Sequence, residues 1–307
     1  MKLALHLQEK AGKSAWVGVR KNSGEQKPVL TALQLLNILL PLGYLLAALA
    51  YLVVFLGSPE WAKRWATPIT VVVAGGHLVY LLLCTLAFQH VPVANAWEGF
   101  TFVAFAMVVV YLALEWRWKD KVTGIFLLVP VLFFQVLSSA FVTHTREVAE
   151  ILRSPLFGVH VTTALLGYVA FSVAAVYGAM YVMLHRELKK HRVGLIFRRL
   201  PTLETLSRLN VGAILFGWIG LTLASILGSV WAGELTSTGQ LQGNFYTDPK
   251  FLLTLILWIL YGLTLGGRFV LRWPNRQLAY LSLVAFFLMV GTSLAVNLVL
   301  PSFHQFS

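Results

Sequence analysis

Eight runs of mostly apolar residues, each long enough to cross a lipid bilayer, constrain the fold of this 307-residue chain more than any other feature. A membrane helix needs roughly 20 residues, and these runs are about twice as long as the roughly 10-residue strands of a membrane barrel. The sequence therefore predicts an all-α polytopic integral membrane protein with eight transmembrane helices. The predicted spans lie near 33–56, 69–89, 99–116, 123–142, 157–184, 210–232, 251–271 and 279–300.

The charge of the chain argues against a nucleic-acid partner, although the formal net charge is +12. Only 12% of the residues are charged, and the basic ones fall mainly in the loops between apolar runs. Lys and Arg collect in the cytoplasmic loops of membrane proteins, so the positive charge follows from membrane topology. The sequence predicts membrane lipid as the surroundings and no nucleic-acid binding.

The distribution of Lys and Arg also orients the chain. Fifteen lie in the loops on one side of the membrane and three lie in the loops on the other, which are 90–98, 143–156 and 233–250. The positive-inside rule places the richer side in the cytoplasm of a bacterial-type inner membrane. Both termini then lie outside, although residues 1–32 hold six basic residues. We treat 1–32 as a basic tail that can lie along a membrane surface, and 33–307 as one eight-span domain.

The longest basic loop contains the run RRLPTLETLSRLN, which has a leucine at every third position. Such a stripe is typical of a short amphipathic helix that lies against a membrane while its arginines reach the headgroups. We therefore predict a cytoplasmic surface helix within 186–209. The leucines of the stripe are Leu200, Leu203, Leu206 and Leu209.

Two histidines share a membrane face with an unusually long loop between spans six and seven. Its sequence, SVWAGELTSTGQLQGNFYTDPK, is rich in glycine and aromatic residues. With eight spans, His160 at the start of span five and His304 beyond span eight lie on the side of this loop. Two neutral imidazoles on opposite sides of a haem iron form a bis-His site, and arginines can bind the propionates. The candidate aromatic walls are Trp231, Phe245 and Tyr246, and the candidate arginines are Arg146 and Arg153.

A third histidine, His77, lies near the middle of span two. A polar ring at this depth is costly unless it faces a partner or a cavity. Two interpretations stay open: a packing histidine bonded to a neighbouring helix, or a functional histidine that faces a cavity.

Several segments resemble the CcsA/CcmC haem-handling family of cytochrome c assembly. GSVWA at 228–232, DPK at 248–250 and LILWILYG at 255–262 resemble its tryptophan-rich "WWD" segment and the span that follows. Three further segments resemble family motifs in the same order along the chain. These are HVPVANAWEGFTF at 90–102, HVTTALLGYVAF at 160–171 and AVNLVLPSFHQF at 295–306.

The resemblance implies haem b as the cofactor, bound on the outer face, with a CcsB-like protein and apocytochrome c as partners. It implies His160 and His304 as iron ligands beside the WWD-like loop at 229–250. Their ring nitrogens would then lie on the order of 4 Å apart, since each iron–nitrogen bond is about 2 Å. The loop residues implied in haem binding are Trp231, Phe245, Tyr246 and Asp248, and His77 and His90 are additional candidates.

The chain departs from the family pattern in ways that resemble its HemX/YpjD branch. Gly266 stands where the family has an intramembrane histidine, which predicts that the inner haem site is absent or altered. Phe245 and Thr247 stand where tryptophans are expected, and Phe251 replaces a glutamate. Two functions therefore remain: haem presentation as a component of a System II haem lyase, or a HemX-like non-catalytic factor or complex subunit.

An unrelated transporter is a third interpretation, which the sequence disfavours. We expect no acidic residue to be buried within a span, and no internal inverted repeat is visible in the sequence.

Overall fold

The computed structural model describes residues 26–88, 90–93, 95–142, 154–191, 193–239 and 247–298. Helices account for most of these residues, and the described part of the chain contains no strand. The helices, in chain order, are α1 (Gln26–Leu56), α2 (Glu60–Phe88), α3 (Ala96–Trp118), α4 (Gly124–Phe141), α5 (Pro155–Lys189), α6 (Leu195–Arg199), α7 (Leu203–Ser237), α8 (Pro249–Phe269) and α9 (Asn275–Leu298).

All of these helices except the short α6 are long and apolar enough to span a membrane. The predicted all-α fold with eight transmembrane helices is therefore confirmed. Several helices extend beyond the predicted spans: α5 and α7 have 35 residues each. A helix of that length measures about 52 Å, whereas the hydrocarbon core is about 30 Å thick. Hydropathy marks only the part of a helix that lies in hydrocarbon, so it underestimates the length of helices with polar ends.

Helix α5 lies at the centre of the bundle and contacts both halves of it. One large apolar core joins α5 to the first four helices, and a smaller core joins it to α7, α8 and α9. The most extensive contact in the bundle is that between α5 and α7. Their backbones nearly touch, because a Cβ added at Gly167 would lie 3.2 Å from the carbonyl oxygen of Gly217. Small residues at such a crossing allow close helix packing in membranes.

The leucine stripe predicted to form a surface helix belongs to a transmembrane helix instead. Leu200 is extended because Pro201 follows it, and Thr202 caps the start of α7 by accepting a hydrogen bond from the Thr205 amide. Leu203, Leu206 and Leu209 therefore occupy the first turns of α7 and pack on the bundle core. The stripe was therefore assigned to the wrong helix, because proline and threonine place a helix boundary inside it. The short helix within 186–209 is α6, which ends before the stripe.

The expectation that no acidic residue is buried within a span was also wrong. Glu98 and Glu115, in the first and last turns of α3, are 1% and 6% exposed. The carboxylate of Glu115 accepts hydrogen bonds from the hydroxyls of Tyr51, Thr67 and Tyr111. The ammonium of Lys121 lies 3.8 Å from this carboxylate. Three donors and a nearby cation make burial of the negative charge tolerable.

We expect Glu115→Ala to destabilise the protein by about 3 kcal/mol, because the tyrosine hydroxyls that surround the carboxylate would be buried without an acceptor. Tyr51 and Tyr111 are fully buried, so water cannot replace the lost partner easily. The measurement is the thermal unfolding midpoint of the purified protein in detergent.

Glu60→Ala is the matched control, because the Glu60 side chain is 89% exposed where it forms its ion pair with Lys63. Exposed ion pairs contribute little to stability, so the midpoint should not change measurably. Equal midpoints for the two variants would contradict a stabilising role of the Glu115 cluster.

Candidate functional site

A cleft at one end of the bundle brings together α5, α7 and the start of α8. One face of α5 contributes His160, Ala164 and Tyr168, which follow one another at intervals of four residues. Helices α7 and α8 supply the rest of the lining. The described lining residues from these two helices are Leu221, Ala224, Ser225, Gly228, Lys250, Phe251 and Thr254.

A backbone carbonyl holds the imidazole of His160 in a fixed orientation. The Nδ1 atom lies 2.7 Å from the carbonyl oxygen of Ala224 in α7. A carbonyl only accepts hydrogen bonds, so Nδ1 carries the proton and the lone pair of the neutral ring is on Nε2. Metal-binding histidines are commonly oriented in this way, with one ring nitrogen donating to a carbonyl and the other available to coordinate.

Gly228 makes room for the ring of His160. A Cβ added at this position would lie 2.7 Å from Cε1 and 2.9 Å from Nδ1 of the imidazole. Atoms of real side chains do not approach so closely, so any larger residue would displace the ring. The absence of a side chain at 228 is therefore required for the hydrogen bond to Ala224.

Trp231 lies one turn beyond Gly228 and forms an aromatic wall behind His160. Its ring is nearly parallel to the imidazole, with 6.4 Å between the ring centroids, and it packs against Phe157 at 5.1 Å. Trp231 is buried, unlike the exposed Trp61 and Trp116 on other helices. Trp231 therefore supports the cleft, and it does not act as an anchor at the membrane interface.

Asp248 acts on the cleft through the start of α8. It is the N-cap residue, and its carboxylate accepts hydrogen bonds from the amides of Lys250 and Phe251 at 2.9 and 3.3 Å. Such a cap fixes where the helix begins. The cap thus sets the register that turns Lys250 and Thr254, one helical turn apart, toward the cleft.

Several predicted site residues lie outside the described part of the chain. They are His304, Phe245, Tyr246, Arg146 and Arg153. The pairing of His160 with His304 therefore stays a prediction.

His77 is fully buried and both of its ring nitrogens are hydrogen-bonded. The Nδ1 atom lies 2.8 Å from the Tyr44 hydroxyl, and Nε2 lies 2.8 Å from the Thr101 hydroxyl. Thr101 donates its proton to the side-chain oxygen of Gln135, so it accepts from Nε2–H and Nδ1 accepts from Tyr44. This chain links α1, α2, α3 and α4, which is the arrangement expected for the first of the two interpretations, a packing histidine.

His90 lies between α2 and α3, and its Nδ1 atom is 2.9 Å from the carbonyl oxygen of Val91. It is not among the described residues that line the cleft. Three of the four candidate histidines lie within the described ranges, and of these only His160 lines the cleft.

The described residues fit a haem-type ligand in their chemistry. The cleft offers an oriented imidazole, apolar walls and one cation. An imidazole can coordinate iron, apolar walls can pack against a macrocycle, and a cation can pair with its carboxylates.

Sequence reasoning missed Ala224, and it included Gly228 and Lys250 only within the segments GSVWA and DPK, without a role of their own. The small residues of α7 recur every three or four positions, at 217, 220, 224 and 228, which is a recognisable signal of a close helix contact.

Eight membrane-length helices and an end cleft with an oriented histidine define a multi-pass helical membrane protein with a candidate ligand site. Residues 93–304 match the family described as Cytochrome C assembly protein. This match covers more than half of the chain, so the chain belongs to the cytochrome c assembly protein family. Family membership confirms the predicted resemblance and argues against the interpretation as an unrelated transporter.

Individual relatives agree with this assignment. The chain is 28% identical to Protein HemX of Brevibacillus brevis over 249 residues, which are 80% of this chain and 89% of that protein. It is 28% identical to Protein HemX of Bacillus subtilis (strain 168) over 272 residues, which are 86% and 94%. It is 25% identical to the cytochrome c biogenesis protein CcsA of Guillardia theta over 237 residues, which are 71% and 77%.

Proposed function

We propose that this protein binds haem b on the outer face of the bacterial inner membrane and handles it during cytochrome c assembly. The observation that carries the proposal is the orientation of His160, whose Nδ1 atom is 2.7 Å from the Ala224 carbonyl oxygen. This bond leaves Nε2 as the nitrogen that carries the lone pair needed by iron. His304 is proposed as the second axial ligand, because the parity of the spans puts it on the same face.

The residues around His160 have separate proposed roles. Trp231 forms a wall behind the imidazole, and Asp248 fixes the start of α8 beside it. Phe245 and Tyr246 are proposed to complete the aromatic surface. Bound haem would supply the iron centre and the vinyl groups used in cytochrome c attachment, while the chain would orient it and limit access of water.

The spectrum of the purified protein tests haem binding directly. The protein should be expressed with haem available and its reduced-minus-oxidised spectrum recorded. Two histidine ligands predict a low-spin haem with a sharp α-band on reduction. A preparation that takes up no haem, even when haem is added to the folded protein, would contradict the proposal.

A second candidate function is that of a HemX-like factor without synthase activity, which acts through partners or as a complex subunit. The HemX relatives align over 80% and 86% of this chain at 28% identity. Gly266 also stands where the family has an intramembrane histidine, so an inner haem site of the family kind would lack a ligand there.

A complementation assay separates the two candidates. The chain is expressed, with and without a CcsB-like protein, in a bacterial strain that lacks its own cytochrome c synthase. Recovery of covalently bound haem on an apocytochrome c would favour the synthase component. Haem binding without recovery would favour the HemX-like factor.

We expect His77→Ala to retain most of the bound haem but to destabilise the bundle. Removing the ring leaves the buried Tyr44 hydroxyl and Thr101 without their partner, at a cost of about 1–3 kcal/mol. The measurements are the haem-to-protein ratio and the unfolding midpoint in detergent. Loss of haem with an unchanged midpoint would instead assign His77 to a haem site.

A further inference from the structure

Two arginines from different helices lie at the end of the bundle opposite the His160 cleft. Arg186 is in the last turn of α5, and Arg276 is in the first turn of α9. A helix rises about 1.5 Å per residue, so His160 and Arg186, at opposite ends of α5, are about 39 Å apart along its axis. The two arginines therefore belong to a part of the protein separate from the histidine cleft.

Tyr280 of α9 brings these arginines together. Nη2 of Arg186 donates a hydrogen bond to the Tyr280 hydroxyl at 3.2 Å, and its guanidinium carbon lies 6.0 Å from the centre of the ring. Arg276 lies one helical turn before Tyr280, on the same face of α9. The two helices pack closely, because a Cβ added at Gly178 would lie 3.0 Å from the carbonyl oxygen of Ala279. Two positive charges on neighbouring helices are thus held beside one tyrosine.

Neither arginine has an acidic partner within the described ranges. The ion pairs of those ranges join Glu60 to Lys63, Glu115 to Lys121 and Glu204 to Arg208. Glu187 follows Arg186 in the sequence, but its carboxylate accepts a hydrogen bond from the Phe197 amide of α6 at 2.8 Å. Lys189, in the same last turn of α5, adds a third exposed cation. The described chain therefore gathers like charges here and supplies no carboxylate to neutralise them.

An exposed apolar strip on α9 begins beside these charges. Val284, Phe287 and Leu288 follow Tyr280 at the spacing of one helix face, and all three are exposed. The positive-inside rule accounts for an excess of Lys and Arg in the loops on this side, but it does not require two arginines to meet at one tyrosine. A basic cluster between membrane helices, continued by an apolar strip, matches a lipid with an anionic headgroup and apolar chains.

We infer that the α5–α9 corner, formed by Arg186, Lys189, Arg276 and Tyr280, binds the phosphate of an anionic phospholipid. Guanidinium groups bind phosphate through paired hydrogen bonds, and the acyl chains would lie along the apolar strip of α9. A lipid bound in this way contacts both helices, so its binding stabilises the folded bundle. The inference is independent of haem binding at His160.

The test is the unfolding midpoint of the full-length protein in neutral detergent, titrated with phosphatidylglycerol, phosphatidylcholine or inorganic phosphate. A ligand that binds the folded state raises the midpoint, so the titration measures its affinity. We expect phosphatidylglycerol alone to raise the midpoint of the wild type. Arg186→Gln and Arg276→Gln should each weaken the binding of phosphatidylglycerol about fivefold, because each removes one positive charge next to an anionic lipid.

Arg208→Gln is the matched control. It removes one arginine from the same end of the bundle, but Arg208 is already paired with Glu204 at 2.9 Å. Its affinity for phosphatidylglycerol should stay within about twofold of the wild type, since the charge is not part of the corner. Native mass spectrometry gives the same comparison independently of stability: one phosphatidylglycerol should remain on the wild type and on Arg208→Gln, and none on the double variant of Arg186 and Arg276.

Four results would overturn the inference. The first is a wild type whose midpoint does not respond to phosphatidylglycerol, and the second is full affinity in both corner variants. An equal loss in all three variants would show that net charge alone attracts the lipid. A midpoint raised by inorganic phosphate in the wild type, but not in the corner variants, would show a site for free phosphate and not for lipid.

Discussion

Replacing His160 with alanine should reduce the haem-to-protein ratio of the purified protein at least roughly tenfold, because it removes a proposed axial ligand. Loss of only the hydrogen bond that orients a metal ligand typically lowers metal affinity by that factor. The haem that remains should lose the low-spin spectrum of a bis-His site, since one axial position would be open. His304→Ala should have the same effect if the two residues share one iron. The measurements are the haem content and the reduced-minus-oxidised spectrum.

His185→Ala is the matched control for this prediction. His185 lies on the same helix, α5, near its other end, where its ring stacks on Tyr181 at 6.1 Å. The substitution removes the same side chain without touching the cleft, so haem content should stay at the wild-type level. If His160→Ala and His304→Ala keep their haem while His77→Ala loses it, the assignment of the haem site is wrong. The protein would then carry haem at an inner site.

Gly228→Ala should weaken haem binding roughly tenfold while the protein remains folded. The added methyl carbon would lie 2.7 Å from Cε1 of His160, so the ring must move and lose its hydrogen bond to the Ala224 carbonyl oxygen. Alanine is more favourable than glycine inside a helix by about 1 kcal/mol, so a loss of helix propensity cannot explain the effect. Haem titration of the purified variant measures it.

Gly233→Ala tests whether the effect is specific to position 228. Gly233 lies in the same helix, and a Cβ added there meets nothing within 4 Å. The control should bind haem as the wild type does and unfold at the same or a higher temperature. Unchanged haem affinity in Gly228→Ala would show that the ring of His160 does not need its present orientation.

The sequence predicted the eight spans and their order because transfer of apolar surface from water dominates the energetics of a membrane helix. It also drew attention to His160 and Trp231 through the parity of the spans and the resemblance to a family. Helix ends were predicted less well. The stripe from Leu200 to Leu209 repeats as a surface helix would, and only the observed break at Pro201 and the cap at Thr202 assign its leucines to α7.

Buried polar groups were the second weakness of prediction from sequence. Glu115 looks like an ordinary residue at the end of a span, and its burial depends on Tyr51 and Thr67 from two other helices. His77 was open to two interpretations for the same reason. A polar side chain in a membrane is stable only with partners, and partners distant in sequence are brought together by packing alone.

The sequence by itself determined the eight membrane-length helices, the family and the candidate histidine on α5, because these follow from hydropathy and from motifs that are local in the chain. Only the tertiary structure decided how that histidine is held. The bond from His160 to Ala224 joins residues 64 positions apart, and it forms because glycines let α5 and α7 approach closely. The cap at Asp248 begins α8 beside the same cleft, so residues of three different helices line it, which no spacing within one helix could reveal.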